Sequence, residues 1–180
     1  MITGHLGIAA AVRSGWRDTS LLWLLPASVA PDLLDITYAL VGICSPFGLY
    51  SHTVPAVALL ALAVGGAAFL ATGSRSTGLA AGALVLLHLP ADLITGYKYF
   101  WPGGPLTGLD LYRRPALDFL LEVPIALGGW WLLRRDVGVP RWATVGIAAG
   151  ALVLAQATFD SKVIGKPSAC AEQALASATP

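Results

Sequence analysis

Residues 54–71 read VPAVALLALAVGGAAFLA and contain no charged side chain and no polar side chain. As a helix this run is about 27 Å long at 1.5 Å per residue, close to the roughly 30 Å of a bilayer's hydrocarbon core. In lipid, a single segment can satisfy its own backbone N–H and C=O groups only as a helix. The run therefore predicts a transmembrane helix, and the rest of the fold has to be compatible with a membrane.

The composition of the whole chain agrees with lipid as its solvent. Of the 180 residues, 56% are hydrophobic and 12% are charged, whereas soluble domains carry about 25% charged residues. The formal net charge of +1 gives no electrostatic basis for binding nucleic acid. Cys44 and Cys170 are far apart and in no CxxC arrangement, so the sequence predicts neither a disulfide framework nor a thiolate metal site.

Four further segments have the length and apolar character of membrane crossings: 19–43, 78–96, 116–133 and 142–159. The opening stretch 3–12 is too short to span and predicts a half-helix packed against the others. The predicted fold class is all-α, a polytopic membrane helix bundle of about five transmembrane helices plus that short N-terminal half-helix. Residues 1–160 are predicted to form one membrane-embedded domain, and 161–180 a disordered tail.

Ionisable residues occur where the lipid makes them costly, at roughly 3 kcal/mol each. Counted from the end that carries most arginines, Asp32, Asp92 and Glu122 lie about 20, 21 and 18 Å along their helices. His88 lies about 15 Å along on the same scale, and His52 begins its helix at the end away from the arginines. Scattered structural residues would not share a depth in this way, so the sequence predicts one cluster.

Three pairs of ionisable residues share a helix face at a spacing of three or four: His88 with Asp92, Asp118 with Glu122, and Asp32 with Asp35. Imidazole nitrogens and carboxylate oxygens are ligands of zinc, and paired residues on adjacent turns present them together. The pairs predict a site for a divalent metal ion near one membrane face.

Structural interpretations of these residues remain open. His5 is near a terminus, and a position at the membrane interface explains it. Asp32 and Asp118 follow prolines and suit the first turn of a helix, where an acid favours the helix dipole. His52 follows Ser51, a natural N-cap, and lines a helix end on that interpretation.

Six stretches carry a resemblance to a known family: GHLG at 4–7, PDLLD at 31–35, YSHT at 50–53, HLPAD at 88–92, WPGGPLTGLDLY at 101–112 and LLEVPIALGGWWLLRR at 120–135. In this order they resemble the membrane-bound, metal-dependent hydrolases of bacterial inner membranes. That family in turn is similar to zinc-dependent phospholipase C and P1-type nucleases, which are all-helical and bind zinc through His, Asp and Glu. The resemblance implies a multi-pass protein of the bacterial inner membrane.

The resemblance also implies a metal centre of one or two divalent ions, with zinc as the expected metal. Its implied ligands are His5, Asp35, His52, His88, Asp92 and Glu122. Asp32 is an alternative ligand to Asp35, and either of the two is a candidate general base. Asp92 is the candidate for bridging two ions. Asp118 stands where the soluble relatives use a histidine, which argues against a trinuclear centre.

Three functions follow as hypotheses. The first is hydrolysis of a phosphoester or lipid-like substrate at the membrane surface, with Arg113 and Arg114 binding a phosphate or a lipid headgroup; snorkelling is an equal explanation of these arginines. The second is a small permease or ion-handling protein that uses the same acids. The third is a membrane scaffold with a structural metal. Six Lys and Arg residues lie in connections at one end and five at the other, which slightly favours an extracytoplasmic position for the metal site.

Overall fold

The computed structural model describes residues 2–136 and, beyond them, residues 138, 140, 150, 151, 153, 154, 157 and 170. Six α-helices make up most of this part of the chain: α1 Ile2–Gly15, α2 Leu21–Ser28, α3 Ala30–Leu40, α4 Val54–Thr72, α5 Arg75–Thr95 and α6 Pro115–Leu133. A two-residue antiparallel hairpin, β1 Lys98–Tyr99 with β2 Leu106–Thr107, follows α5. Short 3₁₀ turns occupy Pro46–Gly48 and Leu111–Arg113. The all-α prediction is confirmed.

Three helices are long and apolar enough to cross a membrane, namely Val54–Thr72, Arg75–Thr95 and Pro115–Leu133. The prediction of about five crossings is therefore not supported. The segment 19–43 divides at Val29 into α2 and α3, of 8 and 11 residues, which are about 12 and 16 Å long and too short to span. Pro31 in the first turn of α3 favours this new start, because its missing N–H costs nothing there. Most of the segment 142–159 lies outside the described residues.

The helices pack in the lateral order α6, α1, α2, α5, α4. The α4–α5 pair is an antiparallel hairpin whose turn uses Gly73 in the left-handed region, at φ +65°, a conformation that glycine adopts without steric cost. Ser74 then caps α5 by accepting a hydrogen bond from the Thr77 N–H. Leu24, Val57 and Val85 are among the buried residues that join α2, α4 and α5 in one core.

Small residues allow the close contacts between helices that the sequence suggested. A Cβ on Gly65 of α4 would lie 2.9 Å from the Gly78 carbonyl oxygen of α5. On the other side of the bundle, a Cβ on Gly7 of α1 would lie 2.5 Å from the Ala126 Cα of α6. Such distances leave no room for a methyl group, so backbone packing sets these two interfaces.

We expect Gly129→Ala to destabilise the protein by about 1–3 kcal/mol or more, the usual cost of overpacking. A Cβ on Gly129 would overlap the Gly7 carbonyl group of α1. Gly128→Ala is the matched control, because a Cβ there meets nothing within 4 Å and alanine is the better helix former by about 1 kcal/mol. Thermal unfolding in detergent, followed by circular dichroism, measures both. Equal unfolding temperatures for the two variants would contradict the close α1–α6 packing.

The helices bring their chemistry to one end of the bundle. The N-terminal half of α1, the start of α4, the end of α5 and the start of α6 meet there, whereas Arg13, Arg75 and Arg134 mark the opposite end. We call these the metal end and the arginine end. Between them, leucines such as Leu59, Leu62 and Leu70 of α4 are exposed, as expected for helices whose outer surface contacts lipid.

A disulfide joins Cys44, in the connection between α3 and α4, to Cys170. The prediction that the cysteines form no disulfide is therefore wrong. The two cysteines are 126 residues apart in the chain. Sequence spacing does not indicate which distant segments the fold brings together, so the pair could not be predicted. Apart from Cys170, the predicted disordered tail lies outside the described residues.

Candidate metal centre

Four side chains from three different elements converge at the metal end. Asp32 comes from the first turn of α3, His52 from the connection that precedes α4, and His88 and Asp92 from adjacent turns of α5. One ligand atom of each lies within 4.8 Å of the others. His52, His88 and Asp92 are fully buried, whereas the Asp32 side chain is 21% exposed. The coarse prediction that buried acids and imidazoles gather where they could hold a metal ion is confirmed.

The spacing of these four atoms is that of ligands around one small ion. The His52 Nε2 atom lies 3.1 Å from His88 Nε2, 3.3 Å from Asp92 Oδ2 and 3.4 Å from Asp32 Oδ1. The His88 Nε2 atom lies 3.5 Å from Asp92 Oδ2 and 3.6 Å from Asp32 Oδ1. Ligands about 2.0–2.1 Å from a tetrahedral zinc ion are about 3.3–3.4 Å apart. Five of the six distances are therefore close to those of a tetrahedral site, and the sixth, between the two carboxylates, is no more than 4.8 Å.

In both imidazoles a hydrogen-bond partner of Nδ1 holds the ring so that Nε2 points into the cluster. His88 Nδ1 lies 2.8 Å from the Ser28 carbonyl oxygen, which can only accept, so Nδ1 carries the proton and the Nε2 lone pair is available. His52 Nδ1 lies 2.6 Å from Ser51 Oγ, whose own hydroxyl donates to Asp35 Oδ1 at 2.5 Å. Hydrogen bonds of this kind fix the tautomer of metal-binding histidines.

Asp35 lies on the Nδ1 side of His52 and outside the four-residue group. Its Oδ2 atom is 3.4 Å from His52 Nδ1, and its Oδ1 atom accepts from Ser45 as well as Ser51. Asp32, three residues earlier on the same helix, supplies the carboxylate inside the group. The structure thus separates two acids that the sequence offered as alternatives, one beside the ion position and one that orients a ligand.

Asp92 connects the cluster to His5. Its Oδ2 atom faces the two imidazoles, and its Oδ1 atom lies 3.0 Å from His5 Nε2. The His5 ring stacks on the His88 ring with centroids 3.8 Å apart. His5 is therefore adjacent to the four-residue group and contacts two of its members, in the position of a support or of a ligand to a second ion shared through Asp92.

Glu122, on α6, is also at the metal end. Its Oε2 atom accepts hydrogen bonds from Thr3 Oγ1 at 2.9 Å and from the Gly4 N–H at 3.3 Å. These bonds attach the start of α1, which carries His5, to α6. Asp118 is buried one turn earlier in α6. Both acids lie outside the four-residue group.

The two arginines predicted to bind substrate are exposed. Arg113 is 80% exposed and pairs with Asp110, 2.7 Å from Nε to Oδ2. Arg114 is also exposed. In the part of the chain that the structure describes, neither makes an ion pair or hydrogen bond with the four residues.

Lys98 is the residue of this site that sequence reasoning missed. It lies on β1, and its Nζ atom is 3.2 Å from Asp92 Oδ2. In the sequence it belongs to a connection without apolar periodicity, where it contributed only to the count of basic residues. Lys98 is only six residues after Asp92 in the sequence. The helical spacing that relates His88 to Asp92 does not extend beyond the end of α5, so it could not predict that the following hairpin brings Lys98 against Asp92.

The electrostatics of the cluster are those of a site built for a cation. Burial lowers the pKa of His52 and so does the Lys98 ammonium, but hydrogen bonds to Asp32, Asp35 and Asp92 outweigh both and raise it to about 9. Burial would raise the pKa of Asp32, yet hydrogen bonds from His52 and His88 hold it below its usual range. The surrounding carboxylates thus favour a positive charge at the position of His52, where a metal ion would also balance them.

One atom of the cluster lacks a partner. Asp32 Oδ2 is buried and has no hydrogen-bond donor among the described residues. A buried carboxylate oxygen without a donor is costly, and a bound cation or a water held next to one would satisfy it. The donor set of two imidazoles and two carboxylates, together with this oxygen, fits a divalent metal ion.

No family model matches this chain, and no curated protein and no solved structure matches it at a significant level. The function is therefore inferred from the geometry of the four residues and their surroundings.

Proposed function

We propose that the protein is a membrane-bound, zinc-dependent hydrolase that cleaves a phosphoester, in a lipid or a lipid-like substrate, at the membrane surface. The single observation that carries the proposal is the convergence of His52, His88, Asp32 and Asp92 at the spacings of a tetrahedral site. Two neutral imidazoles and two carboxylates balance the charge of a divalent ion. The resemblance of the ordered motifs to those of bacterial membrane-bound hydrolases agrees with this proposal.

The four residues differ in a way that supports catalysis. Structural zinc sites use four protein ligands, whereas catalytic sites use three and leave one position for water or substrate. His52, His88 and Asp92 are fully buried and are the proposed permanent ligands. Asp32 is the partly exposed member, and its Oδ2 atom has no donor among the described residues. Asp32 is the proposed general base beside an open position.

Zinc bound at this site would supply Lewis-acid activation of water and of a phosphoryl oxygen. In the proposed reaction the water oxygen forms a bond to phosphorus and the ester P–O bond breaks. Asp32 accepts the proton that the water loses, and the leaving alkoxide takes a proton from solvent. Asp35 and Ser51 keep His52 Nε2 directed at the ion position.

The location of the site supports a substrate at the headgroup level of the membrane. The hairpin after α5 exposes Tyr97, Phe100 and Trp101 beside the metal end, and aromatic residues are enriched at membrane–water interfaces. The Cys44–Cys170 disulfide supports an oxidising compartment for this end, and the arginines at the other end support a cytoplasmic position there. We infer an extracytoplasmic site in the bacterial inner membrane.

A scaffold with a structural zinc ion is the second candidate, favoured by the presence of four possible ligands. Asp32→Asn separates the two. If Asp32 is the base, the variant should keep stoichiometric zinc and hydrolyse a phosphodiester such as bis(p-nitrophenyl) phosphate about 10²–10⁴-fold more slowly. Elemental analysis and initial rates on protein purified in detergent measure both properties.

The matched control is Asp110→Asn, an acid that pairs with Arg113 away from the cluster; it should retain both zinc and activity. Loss of zinc on Asp32→Asn would favour the structural role. Wild-type protein without stoichiometric metal, or with metal but no phosphoesterase turnover, would contradict the hydrolase.

A further inference from the structure

Lys98 places a cation against the proposed metal centre. Its Nζ atom lies 3.2 Å from Asp92 Oδ2, the same oxygen that faces the His52 and His88 Nε2 atoms. The Lys98 side chain is only 15% exposed. Among the described residues it is the one lysine or arginine that forms an ion pair with a member of the four-residue group.

A filled site would leave the Lys98 ammonium sharing its carboxylate with the metal. A divalent ion would balance Asp32 and Asp92, and Asp92 Oδ2, which faces the two imidazoles, is the oxygen that Lys98 contacts. Asp35 lies on the far side of His52, where Ser45 and Ser51 donate to it and its side chain is 27% exposed. A largely buried ammonium whose carboxylate is also held by a metal ion is incompletely compensated, and this favours an anionic ligand over a neutral ester or amide.

The geometry of Lys98 suits contact with such a ligand. An ammonium group has three donors, and the contact with Asp92 accounts for one. The hairpin that carries Lys98 is joined to the start of α4 by a hydrogen bond from the Val54 N–H to the Phe100 carbonyl oxygen, 3.1 Å. Val54 follows His52 closely in sequence, so the cation and a proposed metal ligand are held in one local unit.

We propose that Lys98 binds a negatively charged oxygen of the substrate and thereby selects anionic phosphoesters at the metal centre. This inference rests on the proposed function and assigns its anion contact to Lys98, in place of the exposed Arg113 and Arg114. The role is that of a specificity residue: it binds the phosphoryl group of the substrate and leaves metal binding to the other side chains.

The test uses Co²⁺-loaded full-length protein in detergent, titrated with inorganic phosphate, with the visible absorption of the cobalt as the readout. Phosphate should change the spectrum of the wild type. Lys98→Met should keep its cobalt and bind phosphate at least about tenfold more weakly, because a charge-assisted hydrogen bond is lost. Lys98→Arg should retain much of the affinity, and Arg113→Met, which removes an exposed cation paired with Asp110, should equal the wild type.

Equal phosphate affinity in Lys98→Met and wild type would overturn the proposal, as would a change in cobalt affinity alone, which is the result expected of a mere counterion to Asp92. If phosphate does not change the absorption spectrum of cobalt-loaded wild type, the proposal for Lys98 is also overturned, but the proposed metal centre is not. Failure of the wild type to bind cobalt would instead refute the proposed function itself.

A second titration with dihexanoyl phosphatidate separates two sources of the same chemistry. Tighter binding than inorganic phosphate would indicate a membrane lipid as the source, and equal binding a free phosphoester. Either result supports the proposal only if Lys98→Met weakens both ligands; an unchanged affinity for both overturns it.

Discussion

Purified His88→Ala protein should contain no stoichiometric zinc, and His52→Ala should behave in the same way. Each variant removes a buried Nε2 atom that lies 3.1–3.6 Å from the facing atoms of the other three residues of the group. It leaves the carboxylates with one imidazole, and the affinity should fall further than the 10- to 100-fold that is typical when a supporting residue is lost. Elemental analysis of protein purified side by side with the wild type measures the result.

Two other variants make this prediction specific. Asp35→Asn changes a residue that orients His52, so zinc should bind 10- to 100-fold more weakly and still be present at saturating concentration. His5→Ala removes a neighbour that contacts Asp92 Oδ1 and the His88 ring but leaves all four ligand atoms, so one zinc ion should remain. A His88→Ala protein with as much zinc as the wild type would exclude the proposed site.

Removal of the metal should lower the unfolding temperature of the wild type by about 8–16 °C. A ligand at a thousand times its Kd stabilises the native state by about 4 kcal/mol, and each kcal/mol shifts the unfolding temperature by about 2–4 °C for a protein of this size. The physical cause is the pair of carboxylates, Asp32 and Asp92, whose oxygens lie within 4.8 Å of each other in a largely buried site. The bound ion compensates them.

Circular dichroism melts in detergent, with chelator and with added zinc, test this dependence. The His88→Ala variant is the internal control, since its unfolding temperature should not respond to zinc. A wild-type protein that melts at one temperature under both conditions would show that the four residues are satisfied without a metal. The unfolding temperature of Gly128→Ala should rise with zinc as much as that of the wild type. This would show that a substitution elsewhere in the protein does not by itself abolish the response to zinc.

The location of the candidate site could be predicted because helix geometry fixes depth and face. His88 and Asp92 are four residues apart on one helix, and counting residues from the arginine end placed them near the depth of Asp32. The structure brings these residues together with His52. No such rule distinguishes Asp32 from Asp35, which are three residues apart on α3. Which of the two reaches the ion position depends on the connection with Ser45 and Ser51, whose path the sequence does not determine.

The number of membrane crossings was overestimated for a related reason. Hydropathy averages composition over a window, and 19–43 is apolar enough to pass. A hydropathy average does not show that the helix ends at Val29, between Pro26 in α2 and Pro31 in α3. Lys98 and the Cys44–Cys170 disulfide depend on contacts made by connections, and these have no periodicity from which to predict them.

The disulfide has a topological consequence for the chain beyond α6. That helix runs from the metal end to the arginine end and finishes at Leu133, whereas Cys170 is bonded to Cys44 beside the metal centre. Cys170 therefore lies at the metal end, although α6 finishes at the arginine end. Position 170 and the four-residue group then lie at one end of the bundle, so on the proposed membrane topology the oxidation state of the Cys44–Cys170 bond would report which side of the membrane that end faces.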